Sequence, residues 1–174
     1  VRWMAVVLAL ALPAFYAAIA MYHQEMIPSK LLLSIIQSKQ DVPFSTALEI
    51  TGMLIAFELL QEAGLRLPNP IGDTVSVIGA LIVGQSAVEA KVISPIAVIV
   101  VATAGIAGYA QPSQDLGAAL RLCRLALLIA AIIGGLYGVA AGLCLFVWYL
   151  CTIDSYGRNY TAPWSGGRPD NLSQ

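Results

Sequence analysis

The 174-residue sequence carries little charge. Only 11% of its residues are Asp, Glu, Lys or Arg, against about 25% in an ordinary soluble domain. Nine Lys and Arg against ten Asp and Glu give a net charge of −1, so no basic field exists that would attract nucleic acid. Hydrophobic residues make up 59% of the chain, and the mean hydropathy is +0.80. This composition excludes a soluble enzyme, a disordered tail and a nucleic-acid binder, and it predicts a protein whose partner is the lipid bilayer.

Residues that carry chemistry are also scarce. His23 is the one histidine, and Cys123, Cys144 and Cys151 stand in or beside apolar segments without a CxxC pair. We interpret the cysteines as small apolar residues rather than as a disulfide framework or a zinc site. The GxSxG, P-loop, HExxH and dinucleotide-binding motifs are all missing. The sequence therefore predicts no enzyme, no catalytic residue, no cofactor and no metal site.

Long apolar segments indicate an all-α integral membrane protein. About 20 helical residues cross roughly 30 Å of hydrocarbon, and segments near this length occupy residues 3–22, 71–90, 95–110 and 125–150. Residues 3–22 could be a signal peptide, but their length and the tyrosines at their far end favour a transmembrane helix. Residues 44–64 are helical in pattern but acidic, so their spanning role stays open. We predict four to five transmembrane helices within a domain at residues 1–153.

Shorter segments complete the predicted architecture. Residues 29–40 carry an apolar stripe but reach only about 18 Å as a helix, which predicts an interfacial or re-entrant helix. Residues 154–174 are rich in Gly, Pro, Ser and Asn and are expected to form a polar, flexible tail. The chain begins at Val1 without an initiating Met, so we expect it to be the C-terminal part of a longer protein. The Arg121 and Arg124 pair before the last segment favours five spans.

Polar side chains inside the apolar segments are the candidate pathway residues. An acidic residue at the centre of a lipid-exposed helix costs at least about 2.5 kcal/mol, so it marks a functional site or faces protein and water. Glu58 and Glu62 are four residues apart and share a helix face. The alternative for Glu62, Asp73 and Glu89 is that they reach the headgroups from helix ends. The candidates for a cation pathway or a proton relay are Glu49, Glu58, Glu62, Gln85 and Glu89.

Small residues recur every four positions in two segments. The last segment has Ala126, Ala130, Gly134, Gly138 and Gly142 in one row, and such rows let helix backbones approach closely. The row serves packing either within one subunit or between identical subunits around a shared axis, and spacing does not distinguish the two. The predicted packing or oligomer residues, which include part of a second row, are Gly72, Ala80, Gly84, Ala130, Gly134, Gly138 and Gly142.

Several motifs occur in the order typical of one family. They are LPAFYAA at 12–18, HQEMIP at 23–28, FELLQEAGLRLP at 57–68, VIGALIVGQSAVEA at 77–90 and VISP at 92–95. Together they resemble the membrane domain of the A subunits of GerA-type spore germinant receptors and of the related SpoVAF proteins, over nearly the whole chain. The sequence departs from the family pattern at Gln61, where Arg is common, at Asn159, where Pro is usual, and in its short tail.

The resemblance implies a function. Such A subunits are similar to the channel-forming part of a nutrient-gated receptor in the inner membrane of the dormant endospore. They assemble as homo-oligomers, work with a transporter-like B subunit and a lipoprotein C subunit, and release monovalent cations when germination begins. We therefore expect a multi-pass, channel-forming A-type subunit. The alternatives are a SpoVAF-like amplifier of ion release, a small-solute transporter subunit, or a membrane scaffold with no pathway of its own.

Overall fold

A computed structural model describes residues 2–65, 71–109, 114–152, 154–155 and 158–159. The elements that these residues form are helices, apart from one antiparallel pair of two-residue strands, which confirms the expected all-α class. The elements are α1 (Arg2–Tyr22), a 3-10 turn (Gln24–Met26), α2 (Ser29–Lys39), α3 (Thr46–Leu65), α4 (Ile71–Glu89), α5 (Pro95–Tyr109), α6 (Gln114–Thr152), β1 (Asp154–Ser155) and β2 (Arg158–Asn159). Most of the predicted tail lies outside the described residues.

Two helices of the described chain are long and apolar enough to cross a membrane. They are Met4–Tyr22 within α1 and Gly117–Thr152 within α6, a length that includes a break in the helix at Gly135. Shorter apolar stretches occur at Ile78–Glu89 in α4 and at Pro95–Gly108 in α5. The number of four to five spans therefore stays a prediction. The segment expected to be interfacial forms the 11-residue helix α2.

Contacts at two glycines of α4 show how this helix runs relative to α3. A Cβ atom built on Gly79 would lie 3.0 Å from Leu60 Cδ2, and one built on Gly84 would lie 3.7 Å from Met53 Cε. The later glycine of α4 thus contacts the earlier residue of α3, so the two helices run antiparallel to each other. Tight backbone approach at small residues is the means by which helices associate where lipid offers no hydrophobic drive.

Two buried apolar clusters hold the helices together. Ala14, Ala17 and Ala18 of α1 are fully buried, so α1 lies at the centre of the packing. The first cluster joins α1, α3, α5 and α6 through Ala17, Ile50, Met53, Leu54, Phe57, Ala97, Val101 and Leu128. The second cluster joins α1 to α6 through Leu10, Ala14, Ala18, Leu120, Leu127, Ala131 and Val139.

The helix α6 folds back on itself at Gly135, whose φ of 57° and ψ of −138° lie outside the helical region. A Cβ on Gly138 would collide with the carbonyl oxygen of Ala130, and one on Gly142 would lie 2.6 Å from Leu127 Cδ1. Residues 127 and 142 of a straight helix would be about 22 Å apart. In each of these two contacting pairs, the midpoint in sequence lies near residue 134. They therefore define two antiparallel arms, residues 114–134 (the first arm) and 136–152 (the second arm).

The break at Gly135 falls within residues 125–150, which the sequence predicts as a single span. The apolar run is long enough for one tilted helix, but the conformation at Gly135 is one that a residue without Cβ adopts at little cost. The break leaves the carbonyl of Ile132 without its normal partner, the N–H of the residue four positions later. The hydroxyl of Tyr22 donates to that carbonyl instead, at 2.6 Å.

Candidate functional site

The first acidic centre is Glu49, a residue near the start of α3. Only 2% of this residue is exposed. Its Oε2 accepts hydrogen bonds from the backbone N–H of Ser94, at 3.1 Å, and from the Ser94 hydroxyl, at 2.8 Å. Ser94 immediately precedes α5, where backbone N–H groups lack partners within the helix and the helix dipole favours a negative charge. The carboxylate therefore ties the beginning of α3 to the beginning of α5.

A lysine from α2 approaches the same carboxylate. Lys39 Nζ lies 3.7 Å from Glu49 Oε1, and it donates a hydrogen bond to the hydroxyl of Thr46. Among the described residues, Glu49 Oε1 accepts no hydrogen bond, because 3.7 Å is too long for one. Burial lowers the pKa of the Lys39 ammonium below its ordinary value, and the Glu49 carboxylate acts in the opposite direction. Glu49 thus joins α2, α3 and α5.

The second acidic centre is Glu58, nine residues further along α3. Arg124 Nη2 donates to Glu58 Oε1, and Arg121 Nε lies 3.6 Å from Glu58 Oε2. Both arginines belong to the first arm of α6 and are three residues apart, so they project from one helix face. Arg124 is 4% exposed, and its Nε has no hydrogen-bond acceptor within the described part of the chain. One carboxylate therefore faces two guanidinium groups inside the bundle, with a local charge of +1 for these three side chains.

The other predicted pathway residues lie on the surface of the described chain. Glu62 is exposed on α3, one turn beyond Glu58, and Gln85 and Glu89 are exposed on α4. The structure therefore does not bring the five predicted residues into one site: it buries Glu49, partly buries Glu58 and leaves three outside. The side chain of Asp73 lies outside the described residues.

The predicted small-residue rows have different surroundings. Gly84 is buried, and a Cβ there would lie 3.2 Å from Val98 Cγ1, whereas Ala80 packs partly against the first cluster. Gly138 and Gly142 face the first arm of their own helix near Ala130, as described above. A Cβ on Gly134 would meet nothing within 4 Å. Gly72 lies in α4, and its surroundings fall outside what the structure describes.

The partners of the two acids were not among the predicted site residues. Lys39, Ser94, Arg121 and Arg124 supply every ion pair and hydrogen bond described for Glu49 and Glu58. One signal was present: an acid inside an apolar segment needs a positive partner, and the paired arginines precede the longest apolar run. Over the residues that the structure covers, no group of three or more His, Cys, Asp or Glu side chains is placed to hold a metal.

Comparison with known proteins places this chain in a family. The family model described as Bacillus/Clostridium GerA spore germination protein matches residues 1–174. Spore germination protein KA of Bacillus subtilis (strain 168) is 42% identical over 90% of this chain and 29% of its own length. Uncharacterized membrane protein YfkQ of the same organism is 39% identical over 98% of this chain and 33% of its own length. Spore germination protein GerLA of Bacillus cereus is 37% identical over 90% of this chain and 32% of its own length.

The chain spans about a third of the length of these curated relatives. No solved structure matches it. The family match covers the whole sequence and includes both acidic centres with the segments that supply their partners. The chain belongs to the GerA family of spore germination proteins.

Proposed function

We propose that this chain is the membrane domain of an A-type, channel-forming subunit of a nutrient-gated spore germinant receptor. In this role it mediates the release of monovalent cations that triggers germination. Membership of the GerA family supports the germination role. The observation that carries the channel proposal is the Glu58 centre, in which a carboxylate of α3 faces two arginines of α6 inside an apolar bundle.

The Glu58 centre supplies a mechanism for a closed pathway. A local positive charge in a low-dielectric environment repels cations, since charged side chains lining a narrow passage set its selectivity. Breaking a buried ion pair costs about 3–5 kcal/mol because it leaves an uncompensated charge. The pair therefore holds α3 against the first arm of α6 until another event offsets that cost. Separation of the two helices would then present the Glu58 carboxylate to passing cations.

The proposed assembly is a homo-oligomer in the inner membrane of the endospore, together with the B and C subunits of a receptor. One stripe of α4 supports this arrangement. Ile78 and Ile82 are 50% and 56% exposed, and Gln85 and Glu89 follow them on the same helix face and are also exposed. A carboxylate and an amide on a lipid-facing stripe would be costly. We propose that the stripe faces a neighbouring copy or a water-filled axis, in preference to the alternative that Glu89, the last residue of α4, reaches the headgroups.

The test is germinant-triggered cation release from spores that carry the full-length protein with Glu58→Gln. This change leaves two arginines without their carboxylate, and we expect the rate of release to change by about tenfold or more, the effect of about 1.4 kcal/mol on a barrier. Glu25→Gln, at an exposed position in the 3-10 turn, is the matched control and is expected to behave as wild type.

Two outcomes would contradict the proposal. Wild-type ion release from spores that contain normal amounts of the Glu58→Gln protein would remove the centre from the pathway. Spores that lack the protein altogether, yet still release cations on nutrient addition at a reduced rate, would identify an amplifier of ion release instead of a receptor subunit.

A further inference from the structure

A cavity of about 280 Å³ lies between the end of α1, the helix α2 and the start of α3. Leu32, Ile35 and Ile36 of α2 form much of its apolar wall. Ile35 is 6% exposed, so this face of α2 is held against the bundle while the opposite face is open. The cavity is smaller than the pockets of about 300–1,000 Å³ that hold drug-sized ligands. Its size therefore suits a small solute rather than a whole lipid.

Polar groups gather at one end of the same cavity. They are the ammonium of Lys39, the hydroxyl of Thr46 and the amides of Gln24 and Gln40. Lys39 alone among the lining side chains is charged, so the cavity has one positive group beside an apolar wall. Pockets that combine apolar walls with a few convergent polar groups are the usual form of a small-molecule site.

The hydrogen-bonding capacity of Lys39 is only partly used. An ammonium has three N–H donors, and within the described chain Thr46 is its one hydrogen-bond acceptor, with Glu49 Oε1 at 3.7 Å. The two hydrogen bonds from Ser94 go to Oε2 of Glu49, whereas Lys39 lies nearest to Oε1. An anion that binds Lys39 in the cavity therefore does not replace either hydrogen bond between Ser94 and Glu49.

We propose that this cavity binds a small amphiphilic carboxylate, with the anionic head at Lys39 and the apolar end along Leu32 and Ile36. The apolar wall selects against a free phosphate, and the single lysine is sufficient for a carboxylate. An occupant would compete with Glu49 for Lys39. Glu49 is bonded to Ser94 at the start of α5, so occupancy of the cavity is coupled to the packing of the helix bundle. This binding does not depend on the proposed channel.

The test uses the full-length protein in phosphatidylcholine nanodiscs and hexanoate as the probe, with binding measured by saturation-transfer NMR. We expect hexanoate to bind and Lys39→Gln to weaken its binding about tenfold, the effect of losing one charge-assisted hydrogen bond. Hexanol, which has the same apolar end and no charge, is expected to bind both proteins equally. Lys30→Gln is the matched control, since Lys30 lies on the same helix, is exposed and does not line the cavity.

A second variant keeps the test independent of the ion pair. Leu32→Trp fills the cavity while leaving Lys39 and Glu49 unchanged, and it is expected to abolish the binding of both probes. Hexanoate binding that survives Leu32→Trp, or that is as strong in Lys39→Gln as in the wild-type protein, would overturn the proposal. Loss of hexanoate binding when the nanodiscs contain anionic phosphatidylglycerol would also overturn it, because the occupant would then be a lipid headgroup.

Discussion

The hydroxyl of Tyr22, the last residue of α1, donates a hydrogen bond of 2.6 Å to the backbone carbonyl of Ile132 in the first arm of α6. The ring of Tyr22 also covers Gly135, where a Cβ would lie 3.1 Å from two ring carbons. In an apolar environment a carbonyl without a partner is costly. One side chain of α1 therefore satisfies the carbonyl that the break in α6 releases and packs against the break itself.

Removal of the Tyr22 hydroxyl is expected to destabilise the turn between the two arms. Tyr22→Phe keeps the ring over Gly135 but leaves the Ile132 carbonyl unpaired, at a cost of about 1–3 kcal/mol. The measurement is the free energy of unfolding in detergent micelles. Tyr149→Phe, at an exposed tyrosine of the second arm, serves as the control and should have no effect. Equal stability of Tyr22→Phe and wild type would show that water or lipid satisfies the carbonyl.

Two adjacent glycines are expected to differ in their tolerance of a methyl group. Gly135→Ala forces an alanine into positive φ, which costs about 1–3 kcal/mol, and brings its Cβ against the Tyr22 ring. Gly134→Ala adds a methyl group with no neighbour within 4 Å and should be close to neutral. Thermal unfolding of the two variants, measured side by side, checks this prediction. Equal midpoints would mean that Gly135 does not have a positive φ in the folded protein.

The hairpin of α6 predicts that both ends of this helix lie on the same side of the membrane. Residues 118 and 151 of a straight helix would be about 50 Å apart, which is more than the thickness of a bilayer. In a background with Ala at Cys123 and Cys144, we expect Ala118→Cys and the native Cys151 to react with an impermeant maleimide from one side.

Tyr137, which is 84% exposed beside the turn, provides the control for this labelling. With Cys151 also replaced by Ala, Tyr137→Cys should react from the opposite side or be protected by lipid. Labelling of positions 118 and 151 from opposite sides would contradict the hairpin. Both ends of α6 carry arginine nearby, namely Arg121 and Arg158, so the positive-inside rule predicts that the reactive side is cytoplasmic.

The two arginines at Glu58 are expected to contribute unequally to stability. Arg124 is almost fully buried and hydrogen-bonded to Glu58, whereas Arg121 is one-fifth exposed and lies 3.6 Å away. Arg124→Gln should therefore cost about 3–5 kcal/mol. Arg121→Gln should cost much less, because 3.6 Å is too long for a hydrogen bond to the carboxylate. A double-mutant cycle of Glu58→Gln with each change measures the two coupling energies. A larger coupling for Arg121 would contradict the geometry.

The two acids of the candidate site follow from the sequence, but their partners do not. Burying a carboxylate in lipid is costly, so acids within apolar segments are candidates. This rule gives Glu49 and Glu58 together with Glu62 and Glu89. Helical periodicity says which residues share a face, but it does not say which helix that face meets. Arg124 is 66 residues from Glu58, and Ser94 is 45 residues from Glu49. Only the packing of α3 against α5 and α6 joins them.

The sequence by itself determined that this is an all-α protein of an apolar environment, because its composition leaves too few polar groups for a water-facing surface. It also carried the motifs of its family. The tertiary structure decided how the glycine-rich segment is used. A row of small residues is equally compatible with a straight helix and with a hairpin, since glycine takes up either backbone conformation readily. Contacts from Tyr22, on a helix 110 residues away in sequence, stabilise the hairpin.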